Sequence, residues 1–202
     1  MVKIGVLALQ GAVREHFNAI EAVGATAIEV KHQEELQDID GLVIPGGEST
    51  AMRKLIDYDD LMPALQRFSL SGKPMFGTCA GLILLANKII DENKTHIGAM
   101  NVEVKRNSFG RQINSFEALL DLKGIGNGFP AIFIRAPHIV RVGANVEILG
   151  EYEGRIVLAR DGQYLGCSFH PELAEDTRII EYFVHMVEES KRSILAQLKN
   201  VL

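Results

Sequence analysis

The sequence predicts a single α/β domain over residues 1–202, built on a mostly parallel sheet with antiparallel strands added to it. Three observations carry this. Short, fully apolar segments of strand length alternate with helically spaced segments through the first half of the chain. Strands that are apolar on both faces belong in parallel sheets covered by helices on each side. From Val102 onward the pattern changes to short strands separated by glycine-containing turns, the mark of antiparallel pairing.

In order, Val2 to Leu9 is an apolar strand broken by Gly11, and Val13, Phe17, Ile20 and Val23 recur at helical spacing before Gly24. Thr26 to Val30 and Gly41 to Ile44 are the next strands, the latter closed by Pro45-Gly46-Gly47. Ser49 is placed to cap a helix from Thr50 to Ile56, and a second helix follows over Leu61 to Phe68. Pro74 to Gly77 reads as a fourth strand, followed at once by an apolar helix, Ala80 to Ala86. Beyond Val102 and Val104, strands are expected at Ala131–Ile134, Ile139–Val142, Val146–Leu149, Arg155–Ala159 and Gln163–Phe169. Turns at Gly126-Asn127-Gly128, Glu153-Gly154 and Asp161-Gly162 separate several of these strands, and Thr177 to Leu198 closes the chain as a helix.

Composition narrows the function. The 47% hydrophobic content supplies a core for one domain, and the formal charge of −5, with no Lys/Arg block, argues against nucleic-acid binding. Polar Gln10, Arg14, Glu15 and His16 interrupt the N-terminal apolar run, so no signal peptide is expected. No apolar stretch is long enough for a membrane span, and a cytoplasmic enzyme is expected. Two cysteines, Cys79 and Cys167, make neither a disulfide framework nor a four-cysteine zinc site, and no His/Cys spacing points to a metal.

Ligands of parallel sheets collect beyond the carboxyl ends of the strands, and Gln10, Gly46, Gly47 and Cys79 all follow strand ends. Gly77-Thr78-Cys79-Ala80-Gly81 is the cysteine counterpart of the nucleophile elbow: a tight strand-to-helix turn exposes the central side chain, and its flanking glycines avoid steric conflict. Free N–H groups at a helix start favour a thiolate, and the Ala80 N–H is placed to receive an oxyanion. An isolated cysteine would read as a small core residue, which is the reading for Cys167 inside Tyr164-Leu165-Gly166-Cys167. At Cys79 the two glycines and the strand-helix context favour the nucleophile.

His170 stands at a strand end in Ser168-Phe169-His170-Pro171-Glu172. In an extended segment positions i and i+2 share a side, so Glu172 can hold one imidazole nitrogen while the other faces a thiol. The competing reading is a capping histidine beside a solvated glutamate. His16, His32, His96, His138 and His185 are read as surface or packing residues, His16 standing nearest a strand end. The Gly46-Gly47 loop can bring a second N–H to an oxyanion, or simply connect strand to helix; a phosphate loop would need Gly-Lys-Ser/Thr, which is missing. Arg106 and Arg135 also follow strands, where each can clamp a substrate carboxylate or lie solvated.

Taken in order, Ala8-Leu9-Gln10-Gly11, Pro45-Gly46-Gly47-Glu48-Ser49, the elbow, Arg106-Asn107-Ser108-Phe109-Gly110-Arg111-Gln112, Phe133-Ile134-Arg135-Ala136-Pro137 and Ser168-Phe169-His170-Pro171-Glu172-Leu173 closely resemble the glutaminase subunits of pyridoxal 5'-phosphate synthase complexes. These are class I, triad-type glutamine amidotransferases. The resemblance covers nearly the whole chain; Ala51, where a second threonine is expected, is a small departure. It implies a three-layer α/β/α sandwich, a catalytic triad of Cys79, His170 and Glu172, and oxyanion donors at Gly47 and Ala80. It also implies glutamine-binding positions at Gly47, Glu48, Ser49, Arg106, Ile134 and Arg135. The partner implied is a barrel-shaped synthase subunit that receives the ammonia; no cofactor is implied for this chain. A peptidase- or deglycase-type cysteine hydrolase and a catalytically silent scaffold are the rival readings.

Overall fold

A computed structural model describes residues 1–109 and 115–199, so Gly110, Arg111 and Gln112 of the first arginine motif lie outside the described residues. The chain runs β1 (Lys3–Leu7), α1 (Val13–Ala22), β2 (Thr26–Val30), β3 (Gly41–Ile44), α2 (Ser49–Tyr58), α3 (Met62–Ser69), β4 (Met75–Thr78) and α4 (Ala80–Leu85). It continues as β5 (Ala86–Ile89), β6 (Met100–Lys105), β7 (Ser115–Leu122), β8 (Gly126–Ile134), β9 (His138–Val142), β10 (Glu147–Tyr152), β11 (Arg155–Asp161), β12 (Tyr164–Cys167) and α5 (Arg178–Lys199).

A 10-stranded sheet has the order β2-β1-β3-β4-β12-β11-β9-β6-β5, with β10 paired to β11. The segment from β2 to β12 is parallel throughout, and β11 and β9 join it antiparallel. β7 and β8 form a separate antiparallel ribbon. Strand alternation divides the core in two. Leu42, Ile44 and Met75 pack with Met52 and Ile56 of α2, Leu65 and Phe68 of α3, and Leu82 to Leu85 of α4. Val43 and Phe76 point the other way, against Ile20 of α1 and Ile179, Phe183 and Val187 of α5. Three layers result, because each central strand has two apolar faces that need covering.

The order of the central strands builds the site. β3, β4 and β12 are parallel neighbours, with Ile44 opposite Gly77 and Thr78 opposite Cys167. Their following loops therefore emerge side by side at the carboxyl end of the sheet. One carries Gly46-Gly47, the next Cys79, the third His170.

Four local readings are corrected. Ser49 is not the cap of α2: Glu48 is, its carboxylate accepting from the N–H groups of Thr50 at 3.0 Å and Ala51 at 2.8 Å. The apolar helix stops at Leu85, because Ala86 opens β5 and pairs with Met100 far along the chain. β7 went unread although Phe116, Ala118, Leu120 and Leu122 alternate with more exposed residues; among the described residues its strand partner is β8. Gly126, read as part of a turn, begins β8, and the reversal lies just before it, with Ile125 N–H bonded to the Leu122 carbonyl. Among the described residues, no helix is long and apolar enough to cross a membrane.

Candidate active site

A tight turn joins β4 directly to α4, and Cys79 sits at its apex with φ 49° and ψ −102°. A non-glycine residue in that region costs about 1–3 kcal/mol and persists only where the surroundings impose it. Here they do. The Cys79 N–H donates to the Cys167 carbonyl at 2.8 Å, anchoring the apex to β12. A Cβ on Gly77 would come within 2.4 Å of the Gly81 carbonyl, and one on Gly81 within 2.0 Å of the Ile44 carbonyl. Only glycine on both sides permits so close an approach. The thiol points toward the Ile134 carbonyl at 3.8 Å, and the Ala80 N–H, first in its helix, has no acceptor within α4.

His170 and Glu172 reach this point from the end of β12; the segment expected to be extended is instead a 3-10 turn over Pro171–Leu173, whose curl brings the Glu172 carboxylate back to the imidazole. The Nδ1 of His170 lies 2.7 Å from Glu172 Oε1, in a pair almost closed to solvent. The His170 N–H also donates to the Ile132 carbonyl at 2.9 Å, which holds the turn against β8. Burial alone would depress the imidazolium; its bonds to Cys79 and Glu172, and the negative charge of each, outweigh this and raise it to about 10. Glu172 is lowered even though burial works the other way, because His16 and His170 both favour its charged form. With its Nδ1 on the carboxylate, His170 has one ring nitrogen left for the thiol.

The loop after β3 packs over the imidazole: a Cβ on Gly46 would lie 2.3 Å from His170 Cε1. The Gly46 carbonyl accepts from the Ala12 N–H at 3.2 Å, and the Glu48 N–H donates to Gln10 Oε1 at 3.0 Å. Cys79, Ala80 and His170 open onto a cleft of about 550 Å³. Gly47, Glu48, Ser49, Arg106, Ile134 and Arg135 line the same cleft, while Glu172 stands behind His170. Arg106 is braced by Glu92 at 2.9 Å and Glu48 at 3.2 Å. Glu48 is lowered despite the opposing effect of burial, through its bonds to Thr50 and Ala51 and the charge of Arg106. Arg135, with φ 44°, is exposed at the cleft and forms no ion pair among the described residues. Cys167 is fully buried, donates to the Phe169 carbonyl at 3.2 Å, and has its thiol pushed well up by burial.

Sequence reasoning passed over His16. It is fully buried, and its Nε2 lies 3.1 Å from Thr78 Oγ1 and 3.5 Å from Glu172 Oε2. A signal was available: His16 falls three residues after Val13 and four before Ile20, on the inward stripe of α1. His96 is also buried rather than placed in an open polar loop, next to the Arg53 guanidinium.

Comparison with known proteins agrees with this architecture. Residues 6–189 match the model of the SNO glutamine amidotransferase family. The protein called pyridoxal 5'-phosphate synthase subunit PdxT of Geobacillus kaustophilus is 61% identical over 190 residues, covering 94% of this chain and 97% of its own. The protein of the same name from Anoxybacillus flavithermus is 60% identical over 191 residues, covering 95% and 100%. A crystal structure of a glutamine amidotransferase superposes with a TM-score of 0.87 at 42% identity, over 92% of this chain and 98% of the other. PurLQS from Thermotoga maritima shares the fold at 19% identity, with a TM-score of 0.63 over 92% and 99%. On the match from residue 6 to 189 and on these relatives, the chain belongs to the SNO glutamine amidotransferase family.

Proposed function

We propose that this chain hydrolyses L-glutamine to L-glutamate and ammonia, and delivers the ammonia to a synthase subunit that makes pyridoxal 5'-phosphate. The observation carrying this is the Cys79 elbow in the cleft, served by a His170 whose far side is held by Glu172 at 2.7 Å. The Cys79 thiolate attacks the side-chain amide carbon of glutamine, and the oxyanion sits between the N–H groups of Ala80 and Gly47. The C–N bond breaks as His170 gives its proton to the departing nitrogen. His170 then takes a proton from water, which attacks the thioester and frees glutamate and the thiol. Glu172 holds the imidazole in the required tautomer and supports its charge. Burial and an oriented base are wasted on a pure scaffold, and this favours an enzyme. The free thiols suit the reducing cytoplasm, where we place the protein. The test is ammonia release from glutamine by the purified chain, with and without the synthase subunit.

For the substrate, the reading gives Arg106 and Arg135 the amino-acid end of glutamine, with Gly47, Glu48, Ser49 and Ile134 shaping the wall. Arg106 has donors beyond the two occupied by Glu48 and Glu92, and Arg135, exposed at the cleft, forms no ion pair among the described residues. Arg135→Ala or Arg106→Ala should raise KM for glutamine by about tenfold to a hundredfold, the equivalent of one charged hydrogen bond. Melting temperature should barely move, since neither guanidinium is buried. A variant that melts far earlier yet uses glutamine normally would assign that arginine to the scaffold.

The partner in this reading is a barrel-shaped synthase subunit; the relatives are themselves named as subunits of a pyridoxal 5'-phosphate synthase. Free ammonia made without an acceptor is wasted glutamine, so the chain alone should be a poor glutaminase. The Gly46-Gly47 peptide is the element to regulate, because glycine allows either its N–H or its carbonyl to face the thiol. Adding synthase should raise turnover by roughly 10²–10³-fold, the worth of one oxyanion donor, with a smaller effect on alkylation of Cys79. Full activity without synthase would rule the switch out.

A further inference from the structure

The reaction as derived leaves a wholly buried histidine unused. His16, on α1, places Nε2 between Thr78 Oγ1 at 3.1 Å and Glu172 Oε2 at 3.5 Å. Glu172 gives Oε1 to His170, and its side chain is completely buried. Among the described residues, Glu172 Oε2 accepts no hydrogen bond shorter than the 3.5 Å approach of His16 Nε2, and His16 Nδ1 has no partner.

The chemistry of these atoms selects a tautomer. With the proton on Nδ1, a buried donor would be orphaned and an Nε2 lone pair would face a carboxylate. With it on Nε2, the N–H lies between a hydroxyl and an anionic oxygen, and only an acceptor is left unpaired. The second arrangement is the cheaper. Glu172, His170 and Glu15 are the charged or titratable groups that act on this ring. Burial, aided by the charge of His170 and opposed by Glu172 and Glu15, lowers His16, so it offers a donor without a second cation beside His170.

We propose that His16 is a positioning residue of the same reaction: its Nε2–H holds Glu172 from behind and ties that carboxylate to Thr78, the residue preceding the nucleophile. A fully buried carboxylate needs donors on both oxygens to keep one orientation. His170 supplies one, and His16 stands where the other must come from. The same ring joins the end of β4 to the turn after β12, so the nucleophile and the carboxylate behind its base share one brace. The proposal rests on the triad reading above.

The test is steady-state glutamine hydrolysis in the presence of the synthase subunit. His16→Leu fills the space without a donor, and should lower kcat about tenfold to a hundredfold, the range for an outer hydrogen-bond partner of a functional side chain, with KM nearly unchanged. His16→Gln places an amide N–H near the position of Nε2 and should recover most of the loss. Wild-type kcat in His16→Leu, or equal loss in His16→Gln, overturns the proposal. Should His16→Leu fail to fold, nitrogen chemical shifts of histidine-labelled wild-type protein decide the matter. A neutral ring protonated at Nε2 is expected, and protonation at Nδ1 overturns it. Cys79→Ala run alongside separates the two readings: hydrolysis surviving in that variant removes the triad, whereas its loss with normal His16→Leu removes only the role of His16.

Discussion

Cys79→Ala should abolish ammonia release from glutamine, lowering kcat on the order of 10⁶-fold, the scale on which a nucleophile is lost from a cooperating triad. The variant should keep its fold and its affinity for the synthase subunit, because only the sulfur is removed from a cleft wall. The apex conformation is imposed by Gly77, Gly81 and the bond to the Cys167 carbonyl, and none of these involves the thiol. Cys167→Ser is the matched control. Cys167 is equally free and more deeply buried, but its thiol is held up by burial and faces the Phe169 carbonyl. A serine hydroxyl keeps that acceptor, so the cost should be about 1 kcal/mol of stability with most activity retained. Measuring glutamate formation and denaturant midpoints for both variants checks the contrast. An active Cys79→Ala alongside an inactive Cys167→Ser would transfer the nucleophile to β12 and sink the elbow argument.

The second large effect belongs to His170. His170→Asn should be as damaging as losing the thiol, and the double variant with Cys79→Ala should be no worse than either single one, since residues that act as a unit are not additive. Glu172→Gln should be milder, as it leaves the base in place and weakens its orientation and charge support. The pH behaviour gives this a separate signature. His170 is raised from 6.5 to about 10, against the pull of burial, by Cys79 and Glu172. A folded value above the ordinary one means its contribution to stability is complete below about 6.5 and lost as pH rises through about 10. Replacing the Glu172 carboxylate removes part of the raising influence, so the imidazolium should titrate lower, observable by NMR of the ring protons. Unchanged titration and unchanged activity across pH in Glu172→Gln would take Glu172 out of the triad.

Much of this protein is legible in its sequence. Strand and helix spacing located the parallel half, because a strand buried on both faces is apolar at every position and a covering helix repeats its apolar residues at i+3 and i+4. Gly77 and Gly81 marked the elbow, since the backbone approaches that exclude a Cβ leave a sequence trace. The pairing of His170 with Glu172 was equally local, though it is made by the 3-10 turn of Pro171–Leu173 and not by the extended segment expected, and the motifs around Arg106 and Arg135 identified the family.

What tertiary structure alone decided is set by pairing across distance. Nothing between Ala80 and Ala86 announces that the helix yields to a strand at Ala86; its pairing with Met100 does that. β7 takes its register from β8, and Arg106, far along the chain, meets the Glu48 carboxylate that caps α2. Cys79 and His170 stand far apart in the chain and meet because β4 and β12 are parallel neighbours in register. His16 is the plainest case. Its inward position on α1 was readable from spacing, but whether a buried histidine meets aliphatic neighbours or a carboxylate depends on which loop the sheet order places beneath it. Here that loop carries Glu172, and sequence periodicity holds no information about it.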